Sequence, residues 1–218
     1  MSPLRAVVFD LWGTLIDAST EELRILRQRV ARRAGIEEKR FESIWVETYR
    51  RRETGPIRPA LRAVGIPDDA TDEILGWRRD VIRNALVPAD GALEVLVEVR
   101  GRGLRTGLLT MCTQEVSELW PETELAPLVD EAVFSCEVGL AKPDPRIYQL
   151  VCERVEVEPG EALFVGDGAN DELAGAARAG LRPVLLDRPS GYAPDWDGER
   201  IAALVDLVPL LDATAPAR

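Results

Sequence analysis

The stretch Val7–Asp17, VVFDLWGTLID, decides the fold. An apolar run enters Asp10, and Gly13 and Thr14 follow at once. That is the pattern of a buried strand that ends in a carboxylate and then turns tightly. The strand reads from Leu4 to Asp10. The chain enters it straight from MSPLR, without the layout of a secretory leader, so the expected compartment is the cytosol. No apolar run has the length that a membrane span needs.

Outward from this stretch, residues 18–87 read as entirely helical. Thr20–Ala34 carries acids early and arginines late, which suits the helix dipole, and Gly35 stops it. A second helix is predicted from Glu37 to about Glu53 and is broken by TGPIRP. One or two more helices run to Leu86, and Pro88 marks the exit. Strands and helices then alternate. A helix at Gly91–Arg100 is followed by strand RTGLLT, a helix near Thr113–Trp120, strand AVFSC and a helix at Pro145–Val155. Strand ALFVGD, a helix at Ala169–Ala179 and strand PVLLD come next, with a last helix over Glu199–Leu211 and a frayed ATAPAR end. Such alternation predicts an α/β fold, a Rossmann-like parallel sheet with helices on both faces, which places its ligands at the carboxyl ends of the strands. The predicted division is 1–17 and 88–218 as the core, with 18–87 as an all-helical insertion after the first strand.

Composition narrows the chemistry. The 218 residues suffice for one domain plus a smaller insert. The chain has no histidine, which removes Ser-His and Cys-His catalysis and histidine metal sites together. Its three cysteines are far apart in sequence and form no CxxC pair, so neither a disulfide framework nor a zinc site is suggested. The 27 basic and 38 acidic residues give a net charge of −11, which disfavours nucleic acid and anionic membranes as partners. Within Ala18–Leu86, however, 15 basic residues face 12 acidic ones, a net of +3, so the remainder carries −14. Most of these arginines read as ordinary solvated helix faces. The alternative is a basic insert facing an acidic core across a small anionic ligand.

Four strand ends carry reactive residues: Asp10, Thr110, Lys142 in GLAKPDP, and Asp167 with Asp171 in GDGAND. Each alone is common, because strand-end Asp and Thr cap helices and a lone Lys is usually solvated. A parallel sheet gathers all four at one edge. The set VVFDLWGTLID, LLTM, GLAKPDPRIY and FVGDGANDELAGA resembles the haloacid dehalogenase superfamily of hydrolases over essentially the whole chain. That resemblance implies a Rossmann-like fold with a helical cap over residues 18–87. It implies Asp10 as the nucleophile of a covalent aspartyl intermediate, Thr110 as a hydrogen-bond donor to the transferred group, and Lys142 as the cation that holds Asp10 and substrate. It further implies magnesium bound by Asp10, the Trp12 backbone carbonyl, Asp167 and Asp171.

Trp12 departs from the family's phosphatases, which place an acid-base aspartate there. Indole is a donor only and cannot shuttle a proton. Family dehalogenases lack that aspartate too, because halide leaves without a proton. They are metal-free, though, and are not acidic where Asp167 stands. Several carboxylates sharing one site with a single lysine call for a divalent cation, since otherwise like charges raise each other's pKa. The expectation is therefore a magnesium-dependent phosphatase of a small phosphorylated metabolite. The alternatives are a metal-independent 2-haloacid dehalogenase and a non-catalytic or very slow member that binds a phosphorylated ligand. Glu47, Tyr49 and Glu53 are candidates for the missing acid. Trp12, Met111, Tyr49, Arg50 and Arg51 are candidates for substrate contact, and of the run Arg50–Arg52 at most one or two can face a site, because successive helix positions diverge.

Overall fold

The computed structural model describes residues 3–17, 20–188, 192 and 195–213. The predicted frayed end, apart from its first residue, lies outside the described residues. Six strands form one sheet in the order β3-β2-β1-β4-β5-β6. They are β1 (Ala6–Phe9), β2 (Arg105–Thr110), β3 (Glu131–Phe134), β4 (Ala162–Gly166), β5 (Arg182–Leu186) and β6 (Glu199–Ile201). Every pairing is parallel, with Phe9 in register with Leu108 on one side and Val165 on the other. The chain builds outward from β1 through β2 and β3, then crosses back to β4. The strand order thus reverses at β1 and β4, the place where open α/β sheets bind ligands.

The strand period of two sorts the core into two layers. Val7, Phe9, Leu108 and Val165 point into one apolar cluster, with Val95, Leu96, Val116 and Leu119. Ala6, Val8, Leu109 and Phe164 point into the other, with Ile147, Val151 and Ala176. Burial on both faces is why these strands read as continuous apolar runs.

Between β1 and β2 come α1 (Thr20–Ala34), α2 (Glu38–Glu47), α3 (Tyr49–Glu53), α4 (Ile57–Ala63), α5 (Asp68–Ala85) and α6 (Ala92–Gly101). Of these, α1, α2, α4 and α5 surround their own cluster, which includes Leu26, Val30, Phe41, Leu61 and Ile74. The chain leaves the sheet and returns to it at one place: Ile16 bridges Pro88, and Ala89 N–H donates to the Leu15 carbonyl at 2.8 Å. The single helix predicted over Glu37–Glu53 is two. At the break, Thr48 Oγ1 donates to the Ile44 carbonyl at 2.6 Å, a back-bond that bends helices.

The remaining helices are α7 (Gln114–Leu119), α8 (Ser135–Val138), α9 (Pro145–Arg154), α10 (Glu172–Ala179) and α11 (Leu207–Ala213). Two expectations need correction. AVFSC stops being a strand at Phe134, and Ser135 and Cys136 open α8. The helix expected over Glu199–Leu211 begins as the edge strand β6, which pairs Ile201 with Leu186, and becomes an α-helix only at Leu207.

Candidate active site

The parallel register sets three of the four reactive strand ends at one edge of the sheet. Asp10 directly follows β1, and its N–H donates to the Val165 carbonyl at 2.9 Å. Asp167 directly follows β4, and Thr110 closes β2. Lys142 arrives on the loop before α9. Its Nζ donates to Asp10 Oδ1 at 2.5 Å and to Glu172 Oε2 at 2.5 Å, with all three side chains buried. Asp10, Asp167 and Glu172 each offer a carboxylate oxygen, and these oxygens lie within 4.8 Å of one another.

Glu172 replaces an expected residue. Asp171 does not join the cluster: it is exposed and lines a small separate cavity with Tyr192 and Trp196. Asn170 and Asp171 both adopt left-handed backbone, at φ 57° and 54°, so α10 starts only at Glu172. The sequence held a signal for this. Glu172, Ala176 and Ala179 fall at i, i+4 and i+7, the buried stripe of α10.

Two glycines make room for the acids. A Cβ on Gly13, itself at φ +74°, would collide with Asp167 Oδ2, and one on Gly166 would collide with Glu172 Oε1. Both Glu172 oxygens are engaged, one by Lys142 and the other by Gly168 N–H at 2.9 Å. Asp167 Oδ1 accepts from Ala169 N–H at 3.0 Å. Asp10 Oδ2 and Asp167 Oδ2 accept no hydrogen bond among the described residues, so these two oxygens could hold a cation.

Charge follows from this geometry. Burial raises the Asp167 pKa, and the Asp10 charge adds to the rise. Burial raises the Glu172 pKa, and the ammonium of Lys142 that donates to it pulls the other way. Burial by itself would lower the Lys142 pKa, but Asp10 and Glu172 outweigh it and hold the ammonium above its ordinary range. Three carboxylates and one ammonium leave an excess of negative charge in a closed space. That charge and the two free oxygens suit a hard divalent cation, which takes one or two carboxylates and completes its shell with water or phosphate oxygens.

A cavity of about 1070 Å³ adjoins the cluster. Trp12, Gly13, Met111 and Asp167 line it from the sheet side, and Trp45, Tyr49, Arg52 and Glu53 from α2 and α3. Tyr49 Oη lies 3.5 Å from the Asn170 Nδ2 that donates to it. Burial pushes Tyr49 up to about 12 and Glu53 up to about 7, the latter against Arg52 and Arg78. Of the other candidates, Arg50, Arg51 and Glu47 are exposed and do not line the cavity. Asp10, Thr110 and Lys142 are buried and do not line it either, and Thr110 Oγ1 donates to the Met111 carbonyl at 3.4 Å. Arg52, from the same run of arginines, is the one that does.

The sequence profile of the haloacid dehalogenase-like hydrolases matches residues 4–180. The chain belongs to this family. The hydrolase is 28% identical to (S)-2-haloacid dehalogenase 1 of Pseudomonas sp. (strain CBS-3) over 236 residues, which cover 97% of this chain and 98% of the relative. It is 36% identical to a phosphatase of Mycobacterium tuberculosis (strain CDC 1551 / Oshkosh) over 170 residues, 75% of each chain. The crystal structure of a HAD phosphatase from Thermococcus onnurineus shares the fold at a TM-score of 0.75, with 23% identity, 95% of this chain and 98% of the other covered. The hydrolase thus has relatives of both chemistries. Among the described residues, no helix is long and apolar enough to cross a membrane.

Proposed function

We propose that this hydrolase is a magnesium-dependent phosphatase of a small phosphorylated metabolite in the cytosol, with residues 18–87 acting as a cap over the site. The observation that carries the reading is the convergence of Asp10, Asp167 and Glu172 around one lysine. A site from which halide leaves as an anion has no need of this excess negative charge, whereas a phosphoryl group needs a cation beside the attacking carboxylate. Asp10 and Asp167 would hold the magnesium, with the Trp12 carbonyl as a third donor. Bound there, the ion supplies charge neutralisation for the phosphoryl oxygens.

The other steps fall to the chain's own residues. Asp10 attacks phosphorus and is later freed by water. Lys142 donates to Asp10 Oδ1 and so fixes the orientation of the carboxylate. Thr110 stands at the neighbouring strand end, where its hydroxyl can donate to the transferred group. The leaving alcohol needs a proton that Trp12 cannot give. Glu53 is the cavity-lining acid that titrates near neutrality, and we assign it this role.

The test is hydrolysis of an aryl phosphate by the full chain. Activity in magnesium that is lost with EDTA and with Asp10→Asn is expected. Halide release from 2-chloropropionate that EDTA leaves untouched would replace this reading with the dehalogenase one. The indole at position 12 favours that second reading, as does the similarity to a haloacid dehalogenase along nearly the whole chain.

A further inference from the structure

Four arginines line the large cavity, and three of them are committed. Arg27 donates to Glu42 at 2.9 Å. Arg78 donates to Glu115 at 2.5 Å and to Thr113 at 3.2 Å. Arg188 donates to the carbonyls of Gly13 and Thr14 at 3.2 and 3.4 Å and lies 3.6 Å from Asp17.

Arg52 differs. It is 2% exposed, and it has no ion pair among the described residues. Its Nη1 donates only to neutral oxygens, the Trp45 carbonyl and the Thr48 hydroxyl, the latter at 2.7 Å. Its guanidinium stacks on the Trp45 ring, 3.7 Å from the centroid. Its Nε is buried without a partner, and its Nη2 makes no hydrogen bond among the described residues. Burial lowers its pKa only to about 10, so the cation persists at neutral pH. The neighbouring Glu53 is within ion-pair reach of no cation among the described residues. A buried, unpaired cation is costly unless something supplies the counter-charge.

The free Nε–Nη2 edge is the fork that matches a planar carboxylate in two parallel hydrogen bonds. The ring of Trp45 and the Nη1 contacts already hold that fork in place. Arg52 and Asp167 line the same cavity, and Leu26, Ile82, Met111 and Val116 give it apolar wall. Its volume of about 1070 Å³ is far more than a phosphoryl group fills. We propose that Arg52 receives a carboxylate of the substrate on its Nε–Nη2 edge, so that the substrate is a phosphate monoester carrying a carboxylate on an apolar body. The phosphate-ester half of this statement rests on the reading above; the carboxylate half does not.

The experiment compares phenyl phosphate, 4-carboxyphenyl phosphate and its carboxamide as substrates of the full chain in magnesium. The carboxylate is expected to show a KM roughly tenfold or more below that of the amide, the effect of a charge-assisted pair. In Arg52→Met this ratio should fall to near one. Equal KM values in the wild type overturn the proposal, and so does a ratio that survives Arg52→Met. An equal loss on all three substrates in the variant would put Arg52 on the reacting group instead, and would also overturn it. Should the variant not fold, the wild-type comparison of carboxylate and amide still decides.

A turnover-free measurement separates the two readings. Binding of 4-hydroxybenzoate, but not of 4-hydroxybenzamide, should quench tryptophan fluorescence in an Arg52-dependent way. Such binding without hydrolysis of any of the three esters would support the carboxylate subsite and reject the phosphatase.

Discussion

Replacing Glu172 by glutamine separates two accounts of the GDGANDE segment. In the structure, Glu172 is fully buried and holds Lys142 at 2.5 Å and Gly168 N–H at 2.9 Å. Glutamine keeps an acceptor for Gly168, but it loses the charged bond and turns an amide toward an ammonium. Lys142 is not orphaned, because Asp10 still accepts from it at 2.5 Å. The cost is therefore that of one hydrogen bond to a charged group, about 1.5–3 kcal/mol, and not the larger penalty of an unpaired buried ion. For a chain of this size each kcal/mol lowers Tm by about 2–4 °C, so a loss of roughly 3–12 °C follows. Asp171→Asn, at an exposed position outside the cluster, should stay within about 0.5 kcal/mol of the wild type. Differential scanning fluorimetry reads both variants, and aryl phosphate hydrolysis in magnesium reads their effect on the site. Glu172→Gln should lose most of the activity and Asp171→Asn little. If Asp171→Asn is the damaging change, and Glu172→Gln melts and turns over like the wild type, the assignment of Glu172 to the site is wrong.

Three further outcomes can be checked. Glu53 has its pKa raised by burial from 4.5 to about 7, so between these values the folded state binds a proton that the unfolded state has released. Stability from this group is complete below pH 4.5 and declines toward pH 7, by up to about 3 kcal/mol. Glu53→Gln should flatten the fall in Tm between pH 5 and pH 8, and an unchanged fall would contradict the burial of this carboxyl. Magnesium at about 100 times its Kd should stabilise the protein by about 2.7 kcal/mol, measured as a Tm rise. Asp167→Asn should abolish that rise, whereas a rise of equal size in the variant would place the ion elsewhere. Arg78→Met leaves Glu115 buried without its cation where α5 meets α7, and should cost about 3–5 kcal/mol in urea unfolding. A cost below about 1 kcal/mol would show that water reaches Glu115.

Much of the fold was legible because it rests on local pattern. Apolar runs bounded by turns identified five strands, and the alternation with helices implied their parallel order. Acids early and arginines late marked a helix from about Thr20 to Ala34, and α1 spans Thr20–Ala34. The misses have local causes as well. Glu199–Ile201 is a three-residue edge strand, too short to show a period, and it exists because β5 offers it a partner. The break at Thr48 comes from one hydroxyl bonding back to Ile44, which no propensity scale registers.

The candidate site divides along the same line. Sequence by itself determined which side chains stand at the strand ends, because a parallel sheet must bring Asp10, Thr110 and Asp167 to one edge. It also determined that no histidine takes part and that Trp12 cannot move a proton. Only the tertiary structure decided which of two adjacent acids enters the cluster, because two left-handed residues displace the start of α10 by less than one turn. It alone decided which arginine of Arg50–Arg52 faces the cavity. Neighbouring helix positions diverge by about 100°, and the packing of α3 against the rest of the molecule sets which of them points inward.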